Sequence, residues 1–503
     1  MSTAATLSPR VPAPARAAAG WALGTTVAAT ALGVLVVGAP AWHRWLLAAG
    51  LTAVLLTIAA RAPSTAIRLL LVYLPLVALI RRVMIADVPW TSQDPLLLVG
   101  PIVVGFLCVN RFVIERRPLV TDRASLLLVV LVGIAVLQIA NPLGGGIVVG
   151  AGGLLFLAVP VAWFLLGRQL ADRRLVVQLM TGAVAMALGI AVYGLYQTQV
   201  GFPSWDVDWM NSVTFVVLNV GTTTSGTALR AFGTFPSPSE YLYWLALGIV
   251  LSLALFYERR SPLLLGIPLL ALALFLGSGR TMLVLTVLAT TTMLILWSFR
   301  GRQALLLILA GAAVTFGALI AAGPYLADHA AGSSNPLVAH QADGLGNPLD
   351  ENSSTLLTHL RAMQGGIGYG VRHPLGQGTG ATTIAADSLG GANGPAKNTV
   401  EHNGYTENLR GTDADVSNVF MGLGLAGGLV YLGALLAIAR RMLRRWQRRR
   451  DPVVLAVIGC WIVLFLEWLR GEQYAVAALI WFLAGWATRS DGDPGDETEA
   501  AAA

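Results

Sequence analysis

Long apolar runs separated by short arginine-containing turns recur along the whole of this 503-residue chain. Hydrophobic residues make up 56% of the sequence and charged residues 12%, whereas an average soluble domain carries roughly 25% charged residues. A helix of about 20 apolar residues crosses a bilayer core of roughly 30 Å, and a soluble fold has too little interior to bury this many apolar side chains. The sequence therefore predicts an all-α, polytopic membrane protein.

The apolar runs predict about fourteen transmembrane helices, which would place both termini on the same side of the membrane. We expect a cytoplasmic tail at 1–17, an N-terminal bundle over 18–200, central helices over 238–323, C-terminal helices over 416–488 and an acidic, disordered tail at 489–503. The individual helices are expected at 18–38, 42–60, 66–80, 95–110, 124–141, 147–167, 176–199, 238–257, 262–277, 281–298, 303–323, 416–438, 452–470 and 472–488.

Arginine placement orients these helices, because turns on the cytoplasmic side of a membrane are enriched in basic residues. With a cytoplasmic N-terminus, only Arg81 and Arg82 conflict with this rule, which weakens the prediction of a helix at 66–80. The net charge of +7 follows from turn arginines and does not indicate a nucleic-acid partner. The arginines expected on the cytoplasmic side are Arg61, Arg111, Arg116, Arg117, Arg168, Arg173, Arg174, Arg259, Arg260, Arg300, Arg302 and the run Arg440–Arg450.

This topology leaves two long segments outside the cytoplasm, 201–240 and 324–415, and the second is the expected catalytic loop. It holds five of the six histidines, whose spacing fits no local zinc pattern, so we expect no metal and no cofactor. In the first segment, two tryptophans and two aspartates could bind sugars, or the tryptophans could form an interfacial aromatic belt. The loop histidines are His329, His340, His359, His373 and His402, and the first-segment residues are Trp205, Asp206, Asp208 and Trp209.

Few arginines remain on the outer side, and four of them are candidate substrate-binding residues. Arg230 precedes a membrane helix, Arg280 lies in a very short turn between two helices, and Arg361 and Arg372 lie in the large loop. A guanidinium at a membrane edge is costly unless an anion pairs with it, and its fork matches the oxygens of phosphate. Each could instead extend to lipid headgroups or pair with a carboxylate such as Glu240. Arg230 and Arg280 together favour a lipid-linked pyrophosphate.

Four stretches resemble the O-antigen ligase and polymerase family over roughly residues 225–440. They are RAFGTFPSPSEYLYWLALGIV, LFLGSGRTMLVLTVLATTTMLIL, HLRAMQGGIGYGVRHPLGQGTG and DADVSNVFMGLGLAGGLVYLGAL, in this order. The resemblance implies a GT-C-like, metal-independent membrane glycosyltransferase whose donor is a polyprenyl-pyrophosphate-linked glycan. It also implies that Arg230 and Arg280 correspond to the family's pyrophosphate-binding arginines, and Arg361 to its loop-helix arginine.

One departure from the family concerns the catalytic base. The ligases carry histidines just before the asparagine that opens the helix after the loop, whereas here Asp415 and Ser417 precede Asn418. A base needs a lone pair near the attacking hydroxyl, which Asp415 or His402 could supply.

We therefore expect a glycan ligase or polymerase on the outer face of the cytoplasmic membrane, with a glycan or glycolipid as acceptor. The alternatives are a secondary transporter for an anionic solute or a lipid-linked glycan, a non-catalytic scaffold, and a mannosyltransferase-like enzyme. A mannosyltransferase would require an acidic pair in the first outer loop, and Gly38–Trp42 contains no carboxylate. A transporter would favour internal repeats and ionisable residues at mid-membrane depth, and the sequence shows no repeat and, as its main mid-membrane exception, only Glu467.

Overall fold

The structure is a computed structural model in which most of the chain is described. The tail at 1–17, the helix expected at 18–38 and nearly all of the acidic tail lie outside the described residues. The described residues are 41–86, 90–91, 93–212, 219–223, 226–330, 335, 337–339, 341, 355–383, 399–402, 405–408, 414–465, 467–469 and 474–489.

The described part confirms a polytopic helical membrane fold. It contains nine helices long and apolar enough to cross a membrane and four shorter apolar ones. Two antiparallel hairpins accompany them, β1 (Asn219–Thr223) with β2 (Gly226–Leu229) and β3 (Thr399–His402) with β4 (Tyr405–Asn408). The helices are α1 Ala41–Arg61, α2 Pro63–Val83, α3 Val99–Cys108, α4 Arg123–Leu137, α5 Ile147–Leu170, α6 Arg173–Gln199, α7 Ser204–Ser212, α8 Pro238–Arg259, α9 Ile267–Leu276, α10 Arg280–Ser298, α11 Gly301–Ala330, α12 Thr355–Arg372, α13 Asp415–Arg449, α14 Pro452–Val463 and α15 Tyr474–Ala487.

Three helix ends differ from the sequence prediction by seven residues or more. Helix α11 continues to Ala330 rather than 323, so the first residues of the expected catalytic loop are helical. Helix α13 continues past 438 to Arg449, because Arg, Met, Leu and Gln in the basic run all favour helix. Helix α14 ends at Val463 rather than 470.

Polar contacts group the helix ends into two faces. On the first, the arginine face, the Asp122 carboxylate pairs with Arg168 at 2.8 Å and with Arg441 at 3.2 Å. Arg173 on the same face pairs with Glu258 at 2.7 Å. The opposite face, named the loop face, carries the segments that enter the predicted extracytoplasmic regions. The grouping agrees with the alternation expected from arginine placement, and the side on which each face lies stays a prediction.

Arg81 and Arg82 lie on the loop face, and buried acids explain why they break the basic-residue rule. The Asp94 carboxylate lies 2.9 Å from both the Arg81 and the Arg44 guanidinium. Arg82 is fully buried and its Nε lies 3.1 Å from the Asp206 carboxylate. Because Arg81 and Arg82 pair with acids inside the protein, their position on the loop face does not conflict with the predicted orientation of the helices. Helix α2, which carries both arginines, is among the helices able to span a membrane.

Helices α8 and α15 form the centre of the bundle. Every residue from Ala475 to Ala487 in α15 is buried. A Cβ at Gly167 of α5 would lie 2.0 Å from the Phe482 carbonyl oxygen, and one at Gly485 would lie 2.1 Å from that of Phe164. These glycines let the two backbones touch, as small residues do at membrane helix crossings.

Helix α13 is broken at Gly424, whose φ of 70° and ψ of −168° are not helical. The break frees backbone groups, and the segment after α12 bonds to them. Gln377 and Gly378 donate N–H groups to the Met421 and Gly422 carbonyls, each at 2.9 Å, and Leu425 donates to the Pro374 carbonyl at 3.1 Å. Backbone polar groups inside a membrane protein must find such partners. The break therefore fixes residues 374–378 of the predicted large loop against α13.

Candidate functional site

Arg230 directly follows β2 and lies on the loop face beside Arg280. Burial, and after it the neighbouring Arg280 charge, lowers the pKa of the Arg230 guanidinium. Its Nε is buried with no hydrogen-bond partner among the described residues. Within the same residues no carboxylate forms an ion pair with Arg230. Arg230 is thus a buried cation next to a second cation, an arrangement that favours a bound anion.

The turn that carries Arg280 adds a second feature suited to an anion. Ser278 is 2% exposed and has a φ of 59°, a left-handed conformation that non-glycine residues adopt at a cost of about 1–3 kcal/mol, often at functional sites. Its hydroxyl has no hydrogen-bond partner within the described part of the chain. A Cβ at Gly279 would lie 2.3 Å from the Leu242 side chain, so a larger residue there would require that side chain to move.

Arg280 is the first residue of α10, and its N-cap Gly279 provides no side-chain cap. The first four N–H groups of a helix have no intrahelical partner, and the helix end carries partial positive charge. Such an end is a general anion site. Arg230, Arg280, the Ser278 hydroxyl and this helix end are here named the cationic site.

Asp415, the candidate base, is the first residue of α13 and is 3% exposed. Its Oδ2 accepts the backbone N–H of Leu469, in the connection between α14 and α15. Helix α12 covers this end of α13, since a Cβ at Gly366 would lie 2.0 Å from the Ser417 hydroxyl. One carboxylate oxygen of Asp415 is thus held by the protein.

Glu240 is fully buried in the first turn of α8. Its Oε1 accepts the backbone N–H of Ala475 at 2.9 Å, at the start of α15. A carboxylate at this position suits the positive end of a helix. The structure therefore shows Glu240 joining α8 to α15, and substrate binding by Glu240 stays a prediction.

Both loop arginines lie on α12, Arg361 in its first half and Arg372 at its last residue. Arg361 is half-buried and Arg372 is exposed, and eleven residues of helix separate them by roughly 16 Å. Helix α12 also contacts α10, which begins at Arg280. Substrate binding by Arg361 and Arg372 stays a prediction.

The histidines do not form a cluster in the described residues. His329 and His373 are exposed, and each ring packs on the tyrosine four residues earlier, at centroid distances of 3.9 Å and 4.3 Å. His402 lies in β3 opposite Tyr405, and His359 in α12, with both side chains outside the description, as is all of His340. Among described residues no group of three or more His, Cys, Asp or Glu side chains could hold a metal ion.

The segment 201–240, predicted to lie outside the cytoplasm, contains residues that are more buried than the sequence indicates. Asp206 is fully buried and Trp209 is 3% exposed, so neither is available to a sugar or to a lipid interface. Asp206 instead accepts hydrogen bonds from Tyr193 and Gln197, each at 2.7 Å. Trp205 and Asp208 remain exposed.

Sequence reasoning missed two residues of this region, Ser278 and Arg82. GSGRT identified the arginine, and the flanking glycines indicated a tight turn, but no pattern signalled that the serine between them would adopt a positive φ. Arg82 was visible only as a conflict with the basic-residue rule, because its partner Asp206 lies 124 positions further along the chain.

The fold and the cationic site define a polytopic α-helical membrane protein with concentrated positive charge on its loop face. Comparison with protein-family models, with curated proteins and with solved structures gave no match for this chain.

Proposed function

We propose that this chain is a membrane glycan ligase or polymerase that transfers a saccharide from a polyprenyl-pyrophosphate-linked donor to an acceptor hydroxyl. The observation that carries the proposal is the cationic site. Arg230 and Arg280 lie close enough for Arg280 to lower the Arg230 pKa, beside a strained serine and an uncapped helix start. A dianionic or trianionic pyrophosphate at a membrane surface suits such a site.

The chemistry follows from where charge develops. The acceptor oxygen attacks the anomeric carbon, the bond from that carbon to the phosphate oxygen breaks, and negative charge grows on the departing lipid pyrophosphate. Fixed cations aimed at that charge stabilise the transition state more than the ground state, which is usually the largest catalytic term. Arg230 and Arg280 carry this role in the proposal, and no metal is required for it.

The acceptor hydroxyl must lose its proton during the attack, and Asp415 and His402 are the candidates for accepting it. Asp415 has its Oδ2 engaged by the Leu469 N–H group, which fixes the carboxylate orientation. A base held in one orientation is suited to positioning a hydroxyl as well as to accepting its proton. In this proposal the acceptor is a glycan or glycolipid and the site faces the outside of the cytoplasmic membrane.

A secondary transporter for an anionic solute or a lipid-linked glycan is a second candidate, favoured by one observation. Helix α13 is discontinuous at Gly424, and discontinuous membrane helices often form the substrate sites of transporters. A transporter would carry the donor or solute across the membrane without breaking its glycosidic bond.

A transfer assay separates the two functions. The full-length chain, purified and placed in lipid nanodiscs, is incubated with a polyprenyl-pyrophosphate-linked oligosaccharide labelled in the sugar and with an acceptor glycolipid. We expect release of free polyprenyl pyrophosphate together with movement of the label to the acceptor or to a longer glycan. An Arg230→Ala/Arg280→Ala variant should lose both signals.

Arg302→Ala is the matched control, because Arg302 is exposed near the start of another membrane helix, α11, next to the arginine face. Transfer by the double variant at the rate of the unaltered chain would refute the role of the cationic site. Sealed vesicles that accumulate intact labelled donor, with no released pyrophosphate, would establish the transporter.

A further inference from the structure

A turn at residues 232–235 lies between Arg230 and helix α8, and a buried arginine from a distant helix bonds to it. Arg82 Nη1 donates to the Phe235 carbonyl at 2.8 Å and Nη2 donates to the Gly233 carbonyl at 2.6 Å. The guanidinium also lies 4.6 Å from the centre of the Phe232 ring. Arg82 is therefore bonded to both ends of this turn.

A second buried side chain, Gln197, accepts hydrogen bonds from N–H groups of the turn. Gln197 Oε1 accepts from the Phe232 N–H at 3.2 Å and from the Gly233 N–H at 2.8 Å. Its Nε2 donates to Asp206 Oδ2 at 2.7 Å, and the other oxygen of that carboxylate faces Arg82 Nε at 3.1 Å. Arg82, Asp206 and Gln197 form one buried network around the turn.

The turn has little freedom of its own. Gly233 has a φ of 54°, and a Cβ at this position would lie 2.7 Å from the Tyr241 ring. The turn is therefore seated against α8 and fixed from two further helices, α2 through Arg82 and α6 through Gln197. Arg230 is attached to it through Ala231, which is 1% exposed.

This network matters because Arg230 and Arg280 repel each other when no anion lies between them. A mobile Arg230 would move away from Arg280 in the empty site and would have to be brought back when the ligand binds. Fixing the chain next to Arg230 removes that reorganisation, which is the main advantage of a preorganised electrostatic site.

We propose that Arg82 is a positioning residue, which acts with Gln197 through the 232–235 turn to hold Arg230 beside Arg280 for binding of a pyrophosphate group. This inference rests on the proposed function for the identity of the ligand. Because Asp206 compensates the positive charge of Arg82, Arg82 contributes to anion binding by fixing the shape of the turn and not by its charge.

Binding of inorganic pyrophosphate to the purified full-length chain in detergent, measured by calorimetric titration, tests this role. The first variant is Arg82→Gln combined with Asp206→Asn, which removes both charges of the buried pair together. The second is Gln197→Met, which keeps the size and removes the bonds to the turn and to Asp206. Both should raise the Kd for pyrophosphate by roughly 10- to 100-fold, as expected when a binding group is displaced by about 1 Å.

Arg81→Gln is the matched control. Arg81 is equally buried on the same face, and it bonds to Asp94 and to the Thr91 carbonyl rather than to the turn. Asp94 keeps Arg44 as a partner in this variant. The Kd of the control should stay within about threefold of the unaltered chain, even if all variants lose similar thermal stability.

Unchanged pyrophosphate affinity in the Arg82→Gln/Asp206→Asn and Gln197→Met variants would overturn the positioning role. A loss of affinity in Arg81→Gln as large as in the other two would also overturn it, because general destabilisation would then explain the effect. If the unaltered chain binds no pyrophosphate, the anion site of the proposed function fails, and this inference fails with it.

Discussion

The break in α13 at Gly424 gives a prediction whose size follows from the structure. We expect Gly424→Ala to destabilise the protein strongly. An added Cβ would lie 2.0 Å from the Pro374 carbonyl oxygen and 2.8 Å from the Gly376 nitrogen. Both are backbone atoms, so no side-chain rotation can relieve the contact.

Two effects contribute to the loss of free energy of unfolding. The φ of 70° and ψ of −168° belong to a region that is essentially restricted to glycine and costs of order 1–3 kcal/mol for other residues. Moving the 374–378 segment away would also break the bonds that join it to Met421, Gly422 and Leu425, each with a net value of about 0.5–1.5 kcal/mol. The total is about 3–7 kcal/mol.

Thermal unfolding of the purified protein in detergent measures this loss, and a fall in Tm of roughly 3–7 °C is expected for a chain of this length. Gly433→Ala is the control in the same helix, since its nearest neighbour would be the Leu127 side chain at an ordinary 3.6 Å. Alanine also favours helix over glycine by about 1 kcal/mol. Equal Tm values for Gly424→Ala and the unaltered chain would refute the packing of residues 374–378 against the break in α13.

Three further predictions concern topology, the base and metals. In a cysteine-free background, Asp208→Cys should react with an impermeant thiol reagent in intact cells and Gln447→Cys should not, since these exposed residues lie on opposite faces; the reverse pattern would contradict the proposed location of the site. Asp415→Asn should lower turnover greatly while donor binding survives, and Asp415→His should keep partial activity; an inactive His402→Ala beside an active Asp415→Asn would assign the base to His402. Turnover should be unchanged after treatment with EDTA, and a loss restored by a divalent cation would show that the reaction needs a metal.

The membrane helices could be predicted from sequence because the signal for each is local. A run of apolar residues long enough to span the bilayer is visible without knowledge of its neighbours, and the described helices follow thirteen of the fourteen predicted runs. The exact ends were less predictable. The high charge of the basic run after 438 predicts a turn, yet its residues continue α13 to Arg449.

The contacts on the loop face could not be predicted, because they join residues that are distant in sequence. Arg82 conflicted with the basic-residue rule until the structure placed it against Asp206 and the Gly233 carbonyl. The break at Gly424 has the same origin: several glycines in this helix look equivalent in the sequence, and only the approach of Pro374 distinguishes one of them. Arg230 and Arg280 could be selected as candidates from the sequence because arginines are rare in the segments predicted to lie outside the cytoplasm.

The proposed function requires that Arg230 and Arg280 stabilise the pyrophosphate that leaves during transfer. The most direct test is the single-turnover rate of polyprenyl-pyrophosphate release by Arg280→Ala and Arg280→Lys, at matched protein levels. We expect Arg280→Ala to lose about 2–4 kcal/mol of transition-state stabilisation, or roughly 30- to 1,000-fold in rate. Arg280→Lys should be nearly as slow, because a point charge does not replace the guanidinium fork. Release by Arg280→Ala at the rate of the unaltered chain would contradict a role for Arg280 in stabilising the leaving pyrophosphate.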